Sequence, residues 1–182
     1  NVPSDHSTIQ AGIDAAVDGD TVLVQPGTYI ENISFNGKDI TLGSLTLTTN
    51  DESYISQTII DGNDYGITVF FNATGDANFD PVLVGFTVTN GNNENGGGIY
   101  SFDQSNAEIR KCIIRNNTGH GINLRAGINQ IIDCDIYENV GHGIYLWWNN
   151  QTEITSCQIY NNTSDGVRSY RGYPVISRSL MF

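Results

Sequence analysis

The side chains best suited to chemistry lie between Gly119 and Arg171 and recur at a fixed interval. His120 and His142 occupy matching Gly-His-Gly triplets, and Asp165 holds the equivalent place one repeat later. An imidazole beside a groove could take a proton, and a guanidinium could stabilise the enolate-like charge formed when an acidic sugar loses its α-proton. His120, His142, Arg125 and Arg168 are therefore the catalytic candidates, for lyase chemistry on a uronate. A plainer reading competes with each: a turn histidine serves the turn, and an exposed arginine keeps its proton. No carboxylate pair stands at a spacing that marks a glycosidase.

A second set of residues points to binding rather than catalysis. If Ile99, Ile122, Ile144 and Val167 face a core, strand alternation turns Tyr100, Asn123, Tyr145 and Arg168 outward, with Phe102, Arg125, Trp147 and Tyr170 two residues on. Rings side by side on an acidic protein form an apolar contact surface. Sugar rings can lie on Tyr or Trp while guanidinium groups hold hydroxyls or carboxylates in forked geometry. The expected substrate-binding set is Tyr100, Phe102, Arg125, Tyr145, Trp147, Arg168 and Tyr170. The competing reading is cross-strand packing of aromatics. Arg115, Tyr137 and Tyr160 form another outward file, read as packing alone.

What must position these residues is a repeat. Cys112, Cys134 and Cys157 align at steps of 22 and 23 residues, as do Ile109, Ile131 and Ile154; Ile114, Ile136 and Ile159; and Asn117, Asn139 and Asn162. Units of this length holding short alternating strands bury their inward residues by coiling, each strand pairing in parallel with its equivalent one turn later. Crossovers of that kind are right-handed. The Asn column reads as a turn ladder, with Asn supplying left-handed backbone and stacked amides. The Cys column reads as buried free thiols. A disulfide from Cys134 to one neighbour also fits the spacing, whereas a zinc site lacks the ligand pairs.

The segments NTGHGINL and NVGHGIYL resemble the repeats of the pectin-lyase-like superfamily. The fold this implies is all-β, a single-stranded right-handed parallel β-helix of about six to seven coils with an amino-terminal capping α-helix. Residues 7–17 supply the helix, with Ser7 and Gln10 as a capping box and Ile9, Ile13, Ala16 and Val17 on its buried face. This helix and the following Gly-Asp-Thr and Pro-Gly-Thr-Tyr resemble the start of pectin methylesterases and of many bacterial β-helix proteins. The esterases' Gln-Asp-Thr-Leu and Asp-Phe-Ile-Phe-Gly motifs are missing here, so their catalytic residues find no counterpart. Residues 1–182 are expected to form one domain: cap at 7–17, irregular first coils with loop insertions at 20–106, and regular repeats at 107–182 with the last coil incomplete.

A net charge of −12 argues against nucleic acid and anionic membrane surfaces as partners. No apolar run approaches the ~20 residues of a membrane-spanning helix. Asp61, Asp64, Asp76 and Asp80 lie in the insertions and invite a calcium reading, but their spacing matches no EF-hand or nonapeptide pattern, and solvated carboxylates are expected. The expected cofactor is none, with calcium the alternative. Family habit and an acidic surface imply a secreted or cell-surface protein. Leu180, Met181 and Phe182 leave the last coil apolar and uncapped, which predicts either a piece of a longer β-helix or an end-to-end homodimer through residues 165–182. The expected function is polysaccharide recognition without catalysis. A small lyase or hydrolase for acidic polysaccharide is the alternative, and a structural stalk is a third.

Overall fold

The computed structural model describes residues 1–72, 79–148 and 151–182, and among these residues every strand pairing within its sheets is parallel. The chain winds as a solenoid of about seven turns, and each full turn adds one strand to each of three sheets. Seven strands form the first sheet, from Thr21–Val24 to Val175–Ser177, and seven the second, from Gly27–Ile30 to Leu180–Met181. The third holds six: Ile33–Ser34, Val69–Phe71, Ile99–Gln104, Ile122–Ala126, Ile144–Trp147 and Val167–Tyr170.

Register turns each sequence column into a spatial file. Ile109 pairs with Ile131 and Ile131 with Ile154; Ile114 with Ile136 and Ile136 with Ile159; Ile122 with Ile144 and Ile144 with Val167. All but Val167 are fully buried, so like packs on like through the core. The files extend back into the first coils, where Leu42 pairs with Leu83 and Val69 with Ile99. Insertions between strands hide the period there, while the ladder itself continues unbroken.

The Asn ladder forms, with one correction to the expected backbone. Asn139 Oδ1 accepts both the backbone N–H and the side-chain amide of Asn117, at 3.1 and 3.0 Å, and Asn162 Oδ1 does the same for Asn139. The left-handed residue is the one before: Asn116, Glu138 and Asn161 have φ near 54°, 55° and 53°. The amide must reach back into the core, so the kink falls one position earlier. The same amides explain a glycine column, since a Cβ at Gly121 would lie 2.8 Å from both Asn139 Nδ2 and the Gly143 carbonyl.

The amino-terminal helix, α1, spans Ile9–Ala15 and buries Ile9, Gly12 and Ile13. Its N-cap is Thr8, whose hydroxyl accepts the Ala11 N–H at 3.1 Å, and not Ser7. Gln10 forms no capping box. Its amide instead exchanges bonds with the Ser34 backbone, and the Glu31 carboxylate accepts the Ile9 and Gln10 N–H groups at 2.9 and 3.0 Å. At the other end Lys38 Nζ donates to the carbonyls of Ile13, Asp14 and Ala16. Val17, expected on the buried face, lies beyond the helix end and is 66% exposed.

The segment expected as a loop between the first strands carries two more short helices, α2 at Thr46–Thr49 and α3 at Ser53–Gln57. Thr87 Oγ1 donates to the Ile55 carbonyl, fastening α3 to the outside of the second sheet. Cys112, Cys134 and Cys157 are free and buried in one file, and each thiol lies within hydrogen-bonding reach of carbonyl oxygens from its own coil and the one before. In the last coil Ile176 pairs with Ile154 and Met181 with Ile159, as the columns predict.

Candidate functional site

The outward face of the third sheet gathers the residues that the sequence nominates. Two outward files run up it, one residue apart from the buried files between them. The first passes through Phe70, Tyr100, Asn123, Tyr145 and Arg168. Its lower part is covered. Tyr100 stacks on Phe70 with centroids 5.7 Å apart and planes 8° from parallel, leaving it 9% exposed. Asn123 is 4% exposed because its amide donates to the Asn95 carbonyl of an overlying loop. That loop follows the strand Thr87–Thr89, and a Cβ on its Gly96 would meet the Cβ atoms of Asn123 and Tyr100 at 3.1 and 3.4 Å. Tyr100 is therefore part of the packing under the face and presents no ring face to a ligand.

The second file is open. Phe102 and Tyr170 are 49% and 44% exposed, and Trp147 and Arg125 are half-buried between them. The Arg125 guanidinium carbon lies 4.8 Å from the Phe102 centroid and 5.3 Å from that of Trp147. The cation is thus held by two π faces. Trp147 meets Tyr145 edge-on at 5.8 Å and 87°, and meets Tyr170 at 5.4 Å with planes tilted 44°. Arg168 remains exposed, its guanidinium 3.5 Å from Asp165 Oδ2.

Sequence reasoning missed two members. Trp148 directly follows Trp147 and has φ 45°, and Arg171 follows Tyr170 with φ 60°. A left-handed residue breaks strand alternation, so neighbours in sequence both project outward. The Arg171 guanidinium lies 5.0 Å from the Trp148 ring and 5.4 Å from the Tyr170 ring. The doubled Trp-Trp in sequence, where alternation would bury one ring, was the available signal.

The two histidines stack, with centroids 5.0 Å apart, and Tyr145 sits against both at 4.7 and 5.3 Å. His120 Nδ1 accepts the backbone N–H of His142, and His142 Nδ1 accepts that of Asp165, both at 3.1 Å. Each ring therefore spends its basic nitrogen on the next coil, and the hydrogen of the neutral ring belongs on Nε2. Burial, with a smaller contribution from His142, pulls the pKa of His120 down to about 4. This arrangement supplies N–H donors beside Tyr145, and it leaves neither ring a free lone pair to act as base. Arg125, held between two rings, offers a cation and no base.

Other nominated residues sit elsewhere. The Tyr137, Tyr160 and Phe182 rings stack on the second sheet at 4.8 and 5.4 Å, with planes only 9° and 13° from parallel. The Asp61 carboxylate accepts both hydrogen bonds of the Asn90 amide, and Asp80 Oδ1 accepts that of Asn106. Asp64 is at a left-handed turn, and Asp76 lies outside the described residues. Among the described residues no three His, Cys, Asp or Glu side chains gather as metal ligands. A polar groove of about 540 Å³ lies between α3 and the first-to-second sheet corner. Lys111 closes one part of it, 3.1 Å from Glu52 and bonded to Asn50, and burial together with Glu52 raises the Asp135 pKa.

These parallel files and the turns between them match a known pattern. No curated protein and no solved structure matches the chain. The model of one family does match it, over residues 73–180, which takes in the second outward file, the first file from Tyr100 onward and all but the last two residues of the regular repeat. The chain belongs to the right-handed β-helix family.

Proposed function

We propose that this β-helix is a polysaccharide-binding module that holds glycan on the outward face of its third sheet. The observation that carries this reading is the geometry of Trp147. On the second sheet, the near-parallel rings of Tyr137, Tyr160 and Phe182 cover one another's facing surfaces, which is what packing alone produces. On the third sheet Trp147 stands perpendicular to Tyr145 and at 44° to Tyr170, so ring surface stays uncovered beside the Arg125 fork. Aromatic faces flanked by guanidinium and imidazole donors suit the apolar faces and hydroxyl edges of pyranose rings. One such group per coil along the axis also suits an extended sugar chain. The binding set is Phe102, Arg125, Tyr145, Trp147, Arg168 and Tyr170, joined by Trp148 and Arg171. A secreted or cell-surface location goes with this reading, because that is where polysaccharide is met.

Lyase chemistry gains no support from the histidines, whose Nδ1 atoms are both engaged. A structural stalk finds support in the ring stack of the second sheet, which stiffens that face. A glycan array separates the readings. The wild-type chain is expected to bind extended polysaccharides, and the Tyr145→Ala, Trp147→Ala double variant is expected to lose them with little change in melting. Binding that survives the double substitution would remove the face from consideration.

A further inference from the structure

The ring platform does not stop at the edge of the third sheet. Trp148 and Arg171 carry it onto the corner that joins the third sheet to the first in successive coils. Further along the same corner lies a cleft of about 530 Å³, with Ile128, Tyr173 and Val175 as its apolar walls and Gln151 and Glu153 on its polar side. The three apolar side chains are 62%, 76% and 65% exposed. The corner backbone is fixed by coil-to-coil hydrogen bonds, Gln151 N–H to the Gly127 carbonyl at 3.0 Å and Val175 N–H to the Thr152 carbonyl at 2.9 Å. The cleft is thus preformed, which favours binding without an ordering cost.

We infer that the glycan bound on the ring platform carries methyl-bearing substituents, as in a 6-deoxy sugar or an O-acetyl group, and that this corner cleft receives them. This rests on the proposed reading of the platform. The cleft is mostly apolar, and among the described residues its polar side offers a carboxylate, an amide and no cation. A methyl group attached to a hydroxyl-rich ring meets both walls. A charged carboxylate or sulfate meets Glu153 and is repelled. A protein partner would need far more buried area than one such cleft provides. Continuity supplies the rest: the Trp148 ring and the Arg171 cation link Tyr170 to the cleft side, so a sugar seated on Tyr170 can place a substituent around the corner.

The test uses surface-immobilised oligosaccharides in two matched pairs. One pair is acetylated xylo-oligosaccharide and its alkali-deacetylated form. The other is L-rhamno-oligosaccharide and L-manno-oligosaccharide, which differ only by the 6-hydroxyl. The wild-type chain is expected to prefer the methyl-bearing member of at least one pair by about tenfold, the discrimination one apolar group gives in an apolar pocket. Preference in the first pair assigns acetyl, and preference in the second assigns the deoxy sugar. The Ile128→Asp, Tyr173→Ser variant changes only exposed positions and is expected to lose the preference while still binding the unsubstituted member. Trp147→Ala is expected to lose both members. Equal affinity within both pairs, still dependent on Trp147, overturns the inference and leaves the platform reading standing. A preference that survives in the Ile128→Asp, Tyr173→Ser variant overturns it as well, and absence of all binding by the wild-type chain contradicts the platform and the cleft together.

Discussion

His120 Nδ1 accepts the backbone N–H of His142 at 3.1 Å, so the imidazole of one coil serves as a turn acceptor for the next. Protonating that nitrogen breaks the bond and places a cation against the second ring. Burial, with a smaller contribution from His142, sets His120 to titrate near 4 in the folded chain, against the ordinary 6.5 when unfolded. The unfolded chain binds the proton more readily between these values, so stability from this site is complete above about pH 6.5 and falls toward pH 4. Melting temperature followed across that window should drop on acidification. His120→Asn, which keeps an acceptor near the Nδ1 position and does not titrate, should flatten the slope. An unchanged slope would show that the imidazole is not the titrating element.

The Asn ladder should be expensive to break. Asn139 accepts two hydrogen bonds from Asn117 and donates to the Ile114 and Tyr137 carbonyls and to Asn162 Oδ1. Asn139→Ala strands several of these buried partners, and a loss of about 2–4 kcal/mol is expected in denaturant unfolding. A loss under about 1 kcal/mol would mean that water replaces the amide and that the ladder is not a stability element.

The thiols give a simple check on the coil phase. Cys112, Cys134 and Cys157 point into the core as free thiols. An aromatic disulfide reagent should find no reactive thiol in the native chain and three after denaturation without reductant. Fewer than three would mean a disulfide, and rapid native reaction would mean that the file faces outward.

The architecture was readable because a solenoid repeats its register. One alignment of Cys112, Cys134 and Cys157 fixed which residues pair in all three sheets. What escaped the sequence lay where the repeat is broken or the backbone turns left-handed. Tyr100 and Asn123 follow the outward phase correctly, yet an inserted loop around Asn95 and Gly96 covers them, and coverage by a loop leaves no periodic trace. Trp148 and Arg171 escaped because φ near 45° and 60° cancels the alternation on which the outward assignment relied. Thr8, rather than Ser7, caps α1 because the helix begins at Ile9, and the Glu31 carboxylate, 22 residues from Ile9 in sequence, takes the Ile9 and Gln10 N–H groups, a contact no local motif announces.

Glu31 also yields a prediction about the amino-terminal cap. Its carboxylate accepts the Ile9 and Gln10 N–H groups, a charge-assisted contact at the positive end of α1. Glu31→Ala should destabilise the chain by about 1–2 kcal/mol, whereas Ser7→Ala should cost almost nothing. Equal costs for the two would return the capping role to Ser7.

The most direct test of glycan binding sets two tyrosine- and tryptophan-bearing files against each other. Electrophoresis through gels containing a panel of extended polysaccharides measures retardation of the wild-type chain, Trp147→Ala and Tyr160→Ala, with melting recorded for each. The tilted ring of Trp147 should carry binding, so Trp147→Ala is expected to weaken retardation by about tenfold or more while folding persists. Tyr160, stacked at 9° from parallel on Tyr137, should be dispensable for retardation. Retardation that is unaffected by Trp147→Ala, or that falls equally with Tyr160→Ala, would contradict the account.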